Sequence, residues 1–186
     1  MTASNPSNSQ SLLLMIAGAK GAVGSTVAVA STAMRYQPEL VLPSLTTKHM
    51  LPGLDPSQPV QVVGWDATDT TMLAAIEAQG VLSKDIWEPY ADDLEQVQVR
   101  TPPSDSLALK GQVEQLTQDI QEFRAFYPNT RAVLVNLLPA AVTENMHRFQ
   151  SLSQLYSKFD PTNLPDLSYA IAAILAGVPV GNFTPN

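Results

Sequence analysis

The chain has no cysteine, so disulfides, thiolate metal sites and a cysteine nucleophile are all excluded. Its two histidines, His49 and His147, are too few for a zinc cluster of the usual kind. Basic residues are scarce as well: 10 Lys and Arg stand against 17 Asp and Glu, a formal net charge of −7. With no basic excess to displace counterions, neither nucleic acid nor an anionic membrane is expected as a partner. A local basic pocket for a phosphorylated small molecule is compatible with that global sign. No apolar run approaches the roughly 20 residues needed to cross a bilayer. The polar start "MTASNPSNSQS" lacks the basic region of a signal peptide. The cytoplasm is the expected location.

What is present describes a globular domain: 186 residues, 45% hydrophobic and 15% charged. Residues 1–11 read as a disordered tail and 12–186 as a single domain. "LLLMIA" (12–17) is a continuous apolar run, the pattern of a strand buried on both faces of a parallel sheet. "AVGSTVAVASTAM" (22–34) follows as a small-residue helix, and the proline-rich stretch 36–59 as a long excursion. "VQVVGWD" (60–66) is a second strand. The next helix is expected to be capped by Thr68 or Asp69 and stopped at Gly80. Residues 83–96 form a short helical segment interrupted at Pro89. Residues 107–126 form an amphipathic helix. Leu107, Leu109, Val113, Leu116, Ile120 and Phe123 lie on its apolar face, with Glu114, Gln118, Asp119 and Glu122 elsewhere. "RAVLVNLL" (131–138) is a third strand, "LSQLYSKF" a short helix, 165–177 a further helix, and "VPVGNF" (178–183) a fourth strand. Strands alternating with helices predict an α/β fold: a Rossmann-like, mainly parallel sheet with helices on both faces.

The chemistry points to "IAGAKGAVGST" (16–26), where Gly18, Gly21 and Gly24 stand three apart between a strand and a helix. Glycines there permit a tight turn and close approach of backbone to a pyrophosphate, and the helix N-terminus offers free N–H groups. The spacing is G-x-x-G-x-x-G, with Ala19 where the dinucleotide fingerprint has its first glycine, and it is not a Walker A loop. Ser25 and Thr26 can add hydroxyl donors and Lys20 a charge. The competing reading is a turn whose small residues serve only close packing. An acid at the second strand's end would contact a ribose and favour NAD over NADP. Asp66 fills that place, although far beyond the ~20 residues the fingerprint expects. Lys48 or Arg35 would reverse the preference if either reached the site.

The segment "VVGWDATDTTMLAAIEAQGVLSKDIWEPY" resembles one in the myo-inositol-1-phosphate synthases, in which a Gly-Trp-Asp strand end precedes two helices. The glycine loop followed by Ser25-Thr26, and "PDLSYAIAAILAGVPVGNFTPN", resemble further segments of that family in the same order. The resemblance spans roughly 12–186 and covers the front part of such a synthase. It implies bound NAD and conversion of glucose 6-phosphate to inositol phosphate by oxidation, aldol ring closure and return of the hydride. It carries Gly18, Gly21, Ala22, Val23, Gly24, Ser25 and Thr26 to the pyrophosphate and Asp66 to the adenosine ribose. Asn136 falls on the cofactor side of the third strand, and Asn182 and Thr184 fall near the nicotinamide and the substrate entrance.

The departures are also informative. Lys20 and Ala22-Val23 replace residues that are often Gly and Asn-Asn in the family, and "NLLPAAVTEN" lacks its Ser/Thr-Thr-Glu arrangement. The family's catalytic lysines fall beyond Asn186, so no catalytic residue is assigned and the chain is not expected to catalyse alone. A non-catalytic nucleotide-binding or scaffold module completed by a partner chain is the alternative. A semialdehyde-dehydrogenase-like front half fits "GAKGAVG" but not the "GWD" segment. An incomplete sheet would expose an apolar patch or an unpaired edge, so self-association is expected. Trp65 reads as core rather than as an adenine platform. Asp92, Asp93 and Glu95 read as a solvated surface, and so do Glu144 and His147.

Overall fold

The computed structural model describes residues 11–37, 59–139 and 149–183. Thr184, Lys48, His49, Glu144, His147 and nearly all of the tail and the proline-rich excursion lie outside the described residues.

Five strands make one parallel sheet in the order β3-β2-β1-β4-β5. They are β1 (Leu12–Ala17), β2 (Val60–Trp65), β3 (Val99–Arg100), β4 (Arg131–Asn136) and β5 (Val180–Asn182). The register aligns Ala17 with Trp65 on one side and with Asn136 on the other, so three strand ends finish level. That shared end carries the loops described below.

Both faces of the sheet are covered, which is why β1 is apolar throughout instead of alternating. On one face Ile16 and Val62 meet Ala28 and Val29 of α1 (Ala22–Tyr36) and Met72 and Ile76 of α2 (Met72–Gln79). Trp87 of α3 (Lys84–Trp87) and Leu94 of α4 (Ala91–Glu95) close that layer. On the other face Leu13, Met15, Val63, Trp65 and Leu134 meet α5 (Leu109–Phe126) through Val113, Leu116, Ile120 and Phe123. Leu155 and Tyr156 of α6 (Leu152–Lys158) pack beside them, with Tyr169, Ala172 and Ala173 of α7 (Leu167–Leu175).

Four details differ from the sequence reading. β3 is an additional strand, only two residues long and paired to Gly64 and Trp65. The cap of α2 is Thr71, whose hydroxyl accepts the Ala74 N–H at 3.2 Å. Thr68 lies earlier because its own N–H is bound by Asp66 at 2.9 Å, in a turn that delays the helix. Helix α5 begins at Leu109, leaving Leu107 outside it and 38% exposed. Asp119 is buried rather than on the solvated side: its carboxylate accepts the Trp65 indole N–H at 2.8 Å and pairs with Arg100. Gly80 ends α2 in the left-handed conformation, as expected.

Candidate functional site

The chain reverses its direction of travel across the sheet after β1: α1 carries it to β2, whereas β4 lies on the other side of β1. Loops leaving β1 and β4 therefore part toward opposite faces, and the crevice between them is the general ligand position of open α/β sheets. A cavity of about 800 Å³ occupies this end of the sheet. Gly18, Lys20 and Gly21 of the glycine loop line it, with Asp66 at the end of β2. Thr101, Pro102 and Pro103 after β3, Leu137 and Leu138 after β4, and Ser168 and Tyr169 of α7 complete its walls.

The glycine loop is tied to both neighbouring strands. The N–H groups of Gly18 and Ala19 donate to the Trp65 carbonyl at 2.9 and 3.1 Å, and Leu137 donates to Ala17 O at 3.0 Å. Gly18 adopts φ +85, a conformation that glycine tolerates best. A Cβ on Gly24 would stand 2.5 Å from Ala19 O and 2.6 Å from Gly18 O, so only glycine lets α1 begin this close to the loop. A Cβ on Gly21 would meet only Gly18 O, at 3.4 Å, and Gly21 lines the cavity. Gly21 is also the N-cap of α1 and supplies no side-chain acceptor. Among the described residues, nothing accepts the N–H groups of Ala22 and Val23, which open the helix on the exposed side. Such free N–H groups at a helix start favour an anion.

Asp66 is half-buried, and each of its carboxylate oxygens receives one backbone donor: Lys20 N at 2.8 Å and Thr68 N at 2.9 Å. Each oxygen retains lone-pair capacity for a hydroxyl. Tyr169 is 5% exposed, stands edge-on to Trp65, and its hydroxyl makes no hydrogen bond with the described residues. Burial, then the carboxylates of Asp119, Asp66 and Asp105, push its pKa well up, so it remains a neutral donor.

The other candidate residues divide. Gly24 and Ser25 are buried beneath the loop, and the hydroxyls of Ser25 and Thr26 donate back to Ala22 O at 3.2 and 2.7 Å. Asn136 is buried and donates to Asn182 Oδ1 at 3.0 Å and to Asp166 Oδ2 at 2.9 Å, tying β4 to β5 and to the start of α7. Neither asparagine lines the cavity. Trp65 is fully buried among Phe123, Tyr169 and Asp119 and serves the core. Arg35 lies at the far end of α1, bonded to Thr32 and beside the beginning of β2, so it does not reach the loop. The Thr101–Pro103 wall was not foreseen, because a two-residue strand leaves no periodic pattern to mark the loop after it, and Tyr169 was not, because its place depends on how α7 packs on the sheet. Among the described residues, no cluster of His, Cys, Asp and Glu could hold a metal ion, and no helix is long and apolar enough to cross a membrane.

A parallel sheet in this order, helices on both faces, and a glycine loop at the reversal point define a Rossmann-like α/β domain. Inositol-3-phosphate synthase from Caenorhabditis elegans has a similar fold: TM-score 0.69, 15% sequence identity, over 95% of this chain and 45% of that one. The chain thus spans less than half the length of that protein. Glucose-6-phosphate 1-dehydrogenase from Mycobacterium avium also matches, at TM-score 0.41 and 15% identity over 93% of this chain and 29% of that one, too low to carry an argument. No protein-family model and no curated protein matches the sequence. At such identities the likeness establishes the fold. It agrees with the resemblance read from the "GWD" and glycine-loop segments.

Proposed function

We propose that the chain is a dinucleotide-binding domain that takes NAD and belongs to an inositol-phosphate-synthase-like protein. The observation that carries the proposal is the cavity at the sheet's reversal point, where the glycine loop and Asp66 meet. Gly21 leaves room for a pyrophosphate, and the N–H groups of Ala22 and Val23 are its donors. Asp66 accepts from a ribose hydroxyl with its remaining lone pairs, and Tyr169 donates from the opposite wall. Bound NAD would supply reversible hydride transfer. This chain's part is to hold the cofactor and exclude water behind Pro102, Pro103 and Leu138. A hexose phosphate such as glucose 6-phosphate is the proposed substrate class where a catalytic segment or partner completes the site.

The test is calorimetric titration of the folded chain with NAD. Saturable binding that is lost in Gly21→Val and weakened at least tenfold in Asp66→Ala supports the reading. Gly24→Ala serves as the packing control: it lowers the melting temperature, because its methyl group has no space. No binding by a demonstrably folded chain would sink the cofactor reading and leave a scaffold module.

A further inference from the structure

Lys20 is not among the groups assigned above to NAD, a dinucleotide without a 2′-phosphate. It stands between Gly18 and Gly21, yet its side chain is not in solvent: the residue is only 8% exposed and lines the cavity. Its Nζ donates to the Thr68 carbonyl at 2.7 Å, and its own carbonyl accepts from Gln79 Nε2 at 3.2 Å. The ammonium has three protons to place and one acceptor among the described residues, with no carboxylate at ion-pair distance. A buried ammonium so incompletely paired is costly unless an anion joins it. Among the described residues lining the cavity, Lys20 is the one cation. Arg35, the other described basic residue on this part of the chain, sits at the opposite end of a 15-residue helix, about 20 Å away by helical rise.

The position of this charge matters more than its presence. Asp66 ends β2, where an acid ordinarily repels the 2′-phosphate that distinguishes NADP from NAD. Here one backbone N–H already donates to each carboxylate oxygen, and the Lys20 ammonium is fixed two residues further on, at Thr68. The carboxylate is thereby already engaged by two donors, and positive charge is supplied at the same strand end. We propose that Lys20 is a specificity residue that lets this site accept a 2′-phosphorylated dinucleotide, NADP, alongside NAD. The assignment rests on the dinucleotide reading above and concerns only the adenosine-ribose end of the ligand.

The experiment is a pair of calorimetric titrations, NAD and NADP, on the wild type, Lys20→Gln and Asp66→Asn. Glutamine keeps a donor for the Thr68 carbonyl without the charge, and thermal melts establish that each variant is folded. In the wild type the two affinities are expected within about tenfold of each other. Lys20→Gln is expected to lower the NADP-to-NAD affinity ratio at least tenfold, and Asp66→Asn to raise it. A salt series on the wild type is the second readout: NADP affinity should fall more steeply than NAD affinity as counterions compete for Lys20. If NAD binds and NADP does not, Lys20 is no specificity residue and the dinucleotide reading stands. If both bind but neither the Lys20→Gln ratio nor the salt slopes differ, the assignment is overturned. If neither binds to a folded chain, both readings fall together.

Discussion

Asp166 is the residue whose environment works most plainly against its charge. Its Oδ2 accepts from Asn136, but Oδ1 is buried with no hydrogen-bond partner. Burial raises its carboxyl above the ordinary 3.8, with the bonds from its own backbone and from Asn136 opposing. The folded state therefore holds this proton more tightly than the unfolded chain does. Its contribution to stability is fully present below pH 3.8 and is lost as pH rises through the folded value. Asp166→Asn removes that dependence. Thermal melts from pH 3 to 7 should show the variant gaining on the wild type as pH rises, whereas a constant difference would exclude the account. The same scale shows what was readable in the chain. Gly18 and Gly24 announced the loop by their spacing, since a left-handed turn and a close helix both demand glycine. Asp166 and Tyr169 gave no sign, because an unpaired oxygen or hydroxyl is a property of neighbours distant in sequence.

Helix α5 shows how one element was read correctly in period and wrongly at two positions, its first residue and Asp119. Val113, Leu116, Ile120 and Phe123 are buried as the pattern requires, but Asp119 lies on the same side, 9% exposed. The acid is held there by a partner that periodicity cannot reveal, the indole N–H of Trp65 at 2.8 Å. Arg100 of β3 pairs with Asp119 and, at 2.8 Å, with Glu122, while its guanidinium lies 4.5 Å from the centre of the Phe123 ring. β3 has only two residues, so this cluster fastens the sheet's short edge to α5 where strand pairing is minimal. Asp119→Ala would leave both the indole and the guanidinium without their shared acceptor. The expected cost is about 1.5–3 kcal/mol, the range for hydrogen bonds to charged groups. In Trp65→Phe the same substitution should cost less, because the donor is gone too. A urea-unfolding cycle over the four proteins measures the difference, and additivity would mean that the contact contributes nothing.

At the scale of the whole molecule, the sheet has two unlike edges. The β3 edge is short and braced by Arg100, whereas β5 pairs only with β4 among the described residues. On that flank Val180 is 36% and Phe183 72% exposed, and α7, which packs against β5, leaves Ile174 and Leu175 exposed as well. Natural edges are usually blunted by charge, proline or a covering element; Pro179 stands just before β5, but no charged residue occurs from Ile174 to Phe183. Fully burying a side chain of this size contributes about 1.5–3 kcal/mol, so a few such residues are enough for weak association but not for a tight dimer. We therefore predict concentration-dependent self-association through the β5 edge, seen by sedimentation velocity over a hundredfold range of protein concentration. Phe183→Lys together with Val180→Lys should shift the chain to monomer while leaving dinucleotide titrations intact, because neither residue lines the cavity. Association that survives both lysines would place the contact elsewhere on the surface. A monomer at every concentration in the wild type would mean that this apolar edge is tolerated in water without a partner.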